Sequence, residues 1–256
     1  PSLVKVATVG AHIFYRWNRA AIASMDPERR AAGRDAVIAT LDPSSDGAPL
    51  RMQTWIVAGA KADFGVMLLD PDPLKVDRVH QRLLQSPLGP ALEPAYSFVS
   101  LTEISEYVFT PEQYAARLVA EGQAEDSPAL AAKVQAYSAR REPMTGRRLP
   151  PDSPAYPAAC FYPMNKKREV GENWFLLPKD QRLAMMAEHG KSGMAFAGRV
   201  SQLITVGIGL EDWEWGVTLW AANPEHLKEI VYGMRFDEAS ARYAEFGPFY
   251  TGYVAT

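Results

Sequence analysis

Between Tyr162 and Gln202 the chain carries a phenol at Tyr162, ammonium groups at Lys166 and Lys167, an imidazole at His189 and a neutral amide at Gln202. A phenol can be oxidised, an imidazole can bind a metal or carry a proton, and ammonium groups attract carboxylates. The amide can hydrogen-bond a ligand without adding charge. Together these groups suit an anionic redox cofactor. Singly, none demands one: a strand tyrosine is more often core with its hydroxyl bonded, and a histidine before glycine often only ends a helix. Charge in this region is uneven. Arg140, Arg141, Arg147, Arg148, Lys166, Lys167 and Arg168 share their stretch with only Glu142 and Asp152 as acids. That pattern fits either a solvated loop surface or a pocket for a polycarboxylate.

The elements that must position these groups follow a repeated order. Ala11 to Trp17 reads as a strand, and Asp26-Pro27-Glu28 opens a helix towards Leu41 with an acidic cap and proline at the first position. Met52 to Gly59 and Phe64 to Leu69 read as a strand pair; Asp72-Pro73 starts a helix through Leu84, and Ala95 to Ile104 is a further strand. The second half repeats this. Ala159 to Met164 is a strand, and a helix from Pro178 ends at Glu188-His189-Gly190. Arg199 to Val206 and Trp215 to Ala221 are a strand pair, Asn223-Pro224-Glu225 caps a helix, and Phe249 to Val254 is the last strand. Each half is β-α-β-β-α-β, the ferredoxin-like unit. The expected fold class is α+β, with residues 1–106 and 159–256 as two ferredoxin-like units forming a dimeric α+β barrel within one chain. Residues 107–158 form the connection, with helical patterning at Pro111 to Ala120 and Pro128 to Ala139 and then a proline-rich run.

At 256 residues and 47% hydrophobic the chain can bury a full core, and a net charge of −3 gives no basic face for nucleic acid. One cysteine, Cys160, excludes an intrachain disulfide and fits a reducing compartment. No apolar run reaches the roughly 20 residues of a membrane span, and Pro1 to Asn18 does not read as a signal peptide. A cytoplasmic, soluble protein is expected.

The second half resembles the chlorite-dismutase-like haem proteins, and within them the coproheme decarboxylases that finish haem synthesis. The residues that carry the likeness are Tyr162-Pro163-Met164 with Lys166-Lys167-Arg168, Asn173-Trp174, Glu188-His189-Gly190, Ala197-Gly198-Arg199-Val200 and Gln202-Leu203-Ile204-Thr205. Further matches are Asp212 to Leu219 and Met234-Arg235-Phe236-Asp237-Glu238 through Ser240 to Gly247. By this resemblance His189 is the proximal iron ligand, with Glu238 as its hydrogen-bonding partner. His12, His80 and His226 read as ordinary strand or helix-surface histidines.

The resemblance also makes Tyr162 the redox residue and Lys166 the holder of the reactive propionate, with Met164 lining the site. Ser240 and Arg148 would bind other propionates. Gln202 stands where chlorite dismutases carry a cationic arginine, so oxychlorine anions would find no positive charge there. The implied activity is peroxide-dependent decarboxylation of iron-coproporphyrin III (coproheme) to haem b, turning two propionates into vinyl groups. The alternatives are a chlorite dismutase or weak haem peroxidase, or a haem carrier or sensor without turnover. Hydrogen peroxide, a homopentamer and transient contact with the preceding ferrochelatase are implied by analogy.

Overall fold

In the computed structural model, which describes residues 7–146 and 154–255, the same sequence punctuation opens the helices of both halves. After β1 (Val9–Trp17) and the short α1 (Arg19–Ser24), Asp26 accepts from the Arg29 amide and Pro27 starts α2 (Pro27–Leu41). β2 (Arg51–Val57) and β3 (Phe64–Asp70) precede α3 (Pro73–Gln85), where Asp72 accepts from the Leu74 amide and Val76, Val79 and Leu83 form the buried stripe. β4 (Leu92–Thr102) ends the first half. An aspartate cap plus proline at the first position, where no amide partner is lost, accounts for both helix starts.

The connection forms α4 (Pro111–Ala120) and α5 (Pro128–Gly146), held together by stacking of Tyr114 on Tyr137 at 4.1 Å. α5 runs past Ala139, the end expected from its pattern. The second half contains β5 (Ala158–Lys166), a small hairpin of β6 (Arg168–Glu169) and β7 (Glu172–Asn173), and α6 (Lys179–Met194). Then come β8 (Val200–Val206), β9 (Trp215–Ala221), α7 (Pro224–Met234), α8 (Glu238–Ala241), β10 (Ala244–Phe246) and β11 (Tyr250–Val254). The hairpin, α1, α8 and β10 carry too few residues to leave a periodic signal. None of the helices among the described residues is long and apolar enough to cross a membrane.

All pairings in the main sheet are antiparallel, and the order β5-β11-β2-β3-β1-β4-β8-β9 returns to β5 through the β5–β9 ladder. The expected α+β barrel is therefore formed, and closure leaves these eight strands without a free edge. Its two seams between the halves are short. Leu101 and Thr102 meet Val206 and Thr205, with Ser100 Oγ donating to Thr205 Oγ1 at 2.8 Å; Trp55 to Val57 meet Gly252 to Val254. Gly252 is required at its seam, because a Cβ there would collide with the carbonyl oxygen of Ile56.

Alternation sends one set of side chains into the barrel and the other outward against helices. Phe14, Trp55, Phe98, Phe161 and Trp220 fill the interior, while β1 and β3 present Ala11, Ile13, Tyr15 and Leu68 to α3. β5 and β9 present Cys160, Tyr162, Val217 and Leu219 to α7. The interior is not wholly apolar. Gln53 Oε1 accepts from the indoles of both Trp55 and Trp220 at 2.7 Å, and His12 stacks on Phe161 at 4.2 Å with Nε2 hydrogen-bonded to Thr218 Oγ1 at 2.9 Å.

His12 is thus a core residue and not an ordinary strand histidine, and its Nδ1 has no partner among the described residues. Burial holds its pKa down to about 3 from 6.5. The unfolded chain therefore takes up a proton that the folded chain refuses, and stability is lost as pH falls below 6.5. His12→Gln, which keeps a hydrogen-bonding amide without titrating, should remove a slope of about 1.4 kcal/mol per pH unit between pH 6.5 and 4.5. Urea denaturation of both proteins across that range measures it.

Candidate functional site

β5 is paired with β9 from Ala158 to Met164 and on its other side with β11 up to Phe161 and β10 from Met164, so its outward side chains are held in fixed rows. Tyr162 pairs with Val217, which pairs with Ile204; Cys160, Leu219 and Gln202 form the next row, and Met164, Trp215 and Val206 the one on the other side. Neighbouring strands lie about 4.8 Å apart, so each row spans roughly 10 Å. Tyr162, Met164 and Gln202 therefore share one outer sheet face. α7 covers its β5 and β9 part, but Gln202 and Ile204 on β8 remain exposed. Gln202 has no side-chain hydrogen bond to any described residue.

Tyr162 is 7% exposed, stacked on Phe249 at 4.5 Å and tilted against Phe246 at 5.8 Å. Burial pushes its phenol pKa upward; the nearby Arg235 guanidinium, which lies over Phe246, acts against that. Its hydroxyl has no partner among the described residues, yet it is not among the sealed polar atoms. The oxygen therefore reaches accessible space.

Opposite this face, α6 packs on α7 and α8 in preference to the strands. It does not end at Gly190, as the sequence suggests; Gly190 has open space where a Cβ would go, and the helix continues to Met194. A glycine costs an α-helix only about 1 kcal/mol, which packing against two helices outweighs. His189 is thus inside the helix. Its Nδ1 lies 3.0 Å from Asp237 Oδ2 and 3.2 Å from Ser240 Oγ. With Asp237 as acceptor the ring carries its proton on Nδ1, and the Nε2 lone pair, which no described residue engages, is left for a metal.

The expected partner Glu238 is displaced by its neighbour. Asp237 caps α8, its Oδ1 accepting from the Ser240 amide at 2.9 Å, and this turns its carboxylate inward to 1% exposure; Glu238 points outward to Arg242 at 3.7 Å. The Asp-x-x-Ser spacing of a helix cap was the available signal. Ser240, expected at a propionate, lies beside the imidazole.

Lys166 is also drawn to this cluster. Its ammonium donates to the Ala239 carbonyl at 2.6 Å and lies 4.5 Å above the Trp174 ring, and burial pushes its pKa down to about 8, against the pull of Asp237. Lys167 pairs with Glu172 at 3.2 Å and Arg168 with Glu214 at 3.6 Å, so the basic run separates into individual contacts. Arg147 and Arg148 lie outside the described residues. An open recess of about 580 Å³ beside α6, lined by Leu176, Met185, Arg242 and Tyr243, lies next to the α8 support.

One imidazole can hold an iron when the remaining ligands arrive with the metal, as in a porphyrin, and the β8 edge of the face, which exposes Ile204 and the Gln202 amide, offers an apolar and a hydrogen-bonding contact to a flat macrocycle. The residues present fit such a group.

Comparison with known proteins identifies the family. The family model of chlorite dismutase matches residues 30–255. A haem-binding protein from Thermus thermophilus is 31% identical over 98% of this chain and 92% of its own, with a TM-score of 0.79. A variant of chlorite dismutase from Candidatus Nitrospira defluvii and the same enzyme with imidazole bound are each 16% identical over 97% of this chain and 91% of theirs, with TM-scores of 0.72 and 0.71. At that identity the last two speak for the fold alone. The protein belongs to the chlorite dismutase family.

Asp237 joins the cap of α8 to the orientation of His189. Asp237→Ala should cost about 1–3 kcal/mol in urea denaturation, since it removes the side-chain cap from the Ser240 amide and leaves His189 Nδ1 only the Ser240 hydroxyl. Faster hydrogen exchange at the Ser240 amide would accompany it. Unchanged stability and exchange would show that the carboxylate is not the anchor of α8.

Proposed function

We propose that this protein binds an iron porphyrin through His189 and is a peroxide-dependent coproheme decarboxylase. The observation that carries the reading is the Asp237-oriented imidazole of His189, whose Nε2 no described residue engages, together with a buried Tyr162 whose hydroxyl bonds no described residue on the sheet face that also carries the exposed Gln202. Bound iron-coproporphyrin III would supply both the reacting propionates and the oxidising power drawn from hydrogen peroxide, and haem b would be the product. Each conversion of a propionate to a vinyl group releases carbon dioxide, a proton and two electrons; one hydrogen peroxide accepts those electrons.

The roles of the side chains follow from their chemistry. His189 Nε2 would bind iron, with Asp237 and Ser240 holding the ring. Gln202 would hydrogen-bond a small oxidant without attracting anions, which sets the reading apart from chlorite chemistry. Tyr162 would lose an electron to the peroxide-derived oxidant and its phenolic proton to solvent, then take a hydrogen atom from the propionate carbon; the carbon radical so formed would give a second electron to the same oxidant as the carbon–carboxylate bond breaks, carbon dioxide leaves and the vinyl forms. Met164 would line the site and Arg148 would pair with a further propionate.

Lys166 would meet the reactive propionate only after leaving the Ala239 carbonyl. That engagement favours a second reading, a haem carrier with Lys166 as a structural cation. A cytoplasmic homo-oligomer built of the units 1–106 and 159–256 joined by 107–158, receiving its substrate from a ferrochelatase, completes the proposal.

The test is to titrate apoprotein loaded with ferric coproheme with hydrogen peroxide and follow product mass. Wild type should yield haem b at about two peroxides per porphyrin, the stoichiometry stated above. Tyr162→Phe should bind coproheme with an unchanged Soret band and cleave no propionate, because phenylalanine keeps the ring but has no O–H to lose. Haem b made by Tyr162→Phe at the wild-type rate would exclude the radical role. No haem b from wild type would establish the carrier.

His189→Ala should weaken coproheme binding about 10–100-fold and alter its spectrum, as loss of a metal ligand does. Lys166→Ala separates the two readings of that residue. Accumulation of the singly decarboxylated porphyrin would mark a propionate contact, whereas lost stability with normal product ratios would mark the structural cation.

A further inference from the structure

The first half of the chain contains a second tyrosine on an outward sheet face, and this one has a base. Tyr15 on β1 is 1% exposed, and its hydroxyl lies 2.8 Å from His80 Nδ1 on α3. It is packed by Phe64 at 5.0 Å, with the His80 ring itself at 5.9 Å. His80, expected to be an ordinary helix-surface histidine, is half-buried by this contact. Among the described residues, Tyr15 is the tyrosine whose hydroxyl bonds an imidazole; Tyr137 and Tyr156 donate to peptide carbonyls, and Tyr162 has no partner.

Taking an electron from a phenol makes its O–H strongly acidic, so the loss is easy only where a base can accept the proton at once. A peptide carbonyl is a very weak base, and neutral imidazole accepts protons near neutrality. We propose that Tyr15 and His80 form a proton-coupled redox pair, a resting place for oxidising equivalents on the far wall of the barrel.

In the step, one electron goes to a one-electron oxidant. The Tyr15 O–H bond breaks, an N–H bond forms at His80 Nδ1, and a neutral phenoxyl faces an imidazolium. Reduction reverses each change. The oxidant is a photogenerated metal complex in the laboratory. In the cell it is a peroxide-oxidised haem, a role that rests on the function proposed above.

The placement is what a protective trap requires. In the ring of eight strands β1 stands four places from β5, so Tyr15 and Tyr162 lie on opposite walls. The barrel interior between them holds oxidisable indoles and phenols: Trp220 is 6.4 Å from Trp55, and Tyr250 stacks on Tyr96 at 5.3 Å, with the non-oxidisable Phe14 ring between the two pairs, 6.1 Å from Trp55 and 4.1 Å from Tyr250. An equivalent that fails to reach substrate from Tyr162 can tunnel across this interior and settle where a proton acceptor waits. It is thereby removed from the porphyrin.

The experiment uses the full-length apoprotein, so it does not depend on haem chemistry. A photogenerated ruthenium(III) polypyridyl oxidant is applied, and the radical is trapped by freezing and read by electron paramagnetic resonance. Wild type should give a long-lived tyrosyl signal coupled to one exchangeable proton at hydrogen-bond distance, visible by electron-nuclear double resonance. Tyr15→Phe should lose most of that long-lived signal, and Tyr162→Phe should keep it. His80→Gln should keep the tyrosine but shorten the signal's lifetime. Because Tyr15→Phe or His80→Gln could disturb the core, the wild-type proton coupling is the independent measure. A wild-type radical without it, or a long-lived signal that survives in folded Tyr15→Phe, overturns the pair. If the pair forms in apoprotein while coproheme and peroxide give no haem b, the redox pair stands and the decarboxylase reading falls.

Discussion

Closure of the eight-stranded sheet through β5 is the constraint on which the remaining structure depends. A closed antiparallel barrel has satisfied backbone pairing all round, so what distinguishes its parts is what covers its outer face. β5 bonds β9 along Ala158 to Met164 and is shared on its other side between β11 and β10. A strand held on both sides cannot slip by one residue without turning Tyr162 and Lys166 into the aromatic interior. The positions of the reactive side chains are consequences of that pairing.

The two halves use the same topology and differ in one packing decision. In the first half α3 packs on β1 and β3, and α2 lies against the α3–β4 connection, so close at Gly33 that a Cβ would press on Leu88. The outer face of β1 and β3 is thereby closed over Tyr15, and its hydroxyl is taken up by His80. In the second half α7 covers β5 and β9, while α6 rests on α7 and α8 and leaves β8 exposed. By strand register Ile13 holds in the first half the place that Tyr162 holds in the second, each opposite a valine, Val66 or Val217. The internal duplication therefore yields one candidate site and one counterpart covered by α3.

The support of His189 is a compact buried polar cluster. Asp237, Ser240, the Ala239 carbonyl and the Lys166 ammonium all belong to or contact the four-residue helix α8. Buried charges are costly unless paired and hydrogen-bonded, and here Asp237 has both the α8 amide and the imidazole while Lys166 has a carbonyl and the Trp174 face. An isolated four-residue helix would not be stable, so α8 exists because these groups meet on it.

By itself the sequence determined the element order, the helix starts and the chemistry available. Asp-Pro and Asn-Pro caps, alternating strand patterns and the repeat of β-α-β-β-α-β are local signals, and they were sufficient for the α+β barrel. Tyr162, His189 and Gln202 could be singled out as candidates because a dense motif spans them.

Tertiary structure decided the partners. Whether Asp237 or Glu238 meets His189 depends on which of two adjacent acids the α8 cap turns inward. Whether Lys166 faces solvent or the Ala239 carbonyl depends on a chain segment more than 70 residues away. The burial of His12 and the bonding of His80 to Tyr15 depend likewise on contacts across 206 and 65 residues of chain. A side chain's type is written locally, but its hydrogen-bond partner and its exposure are set by elements brought together only when the barrel closes.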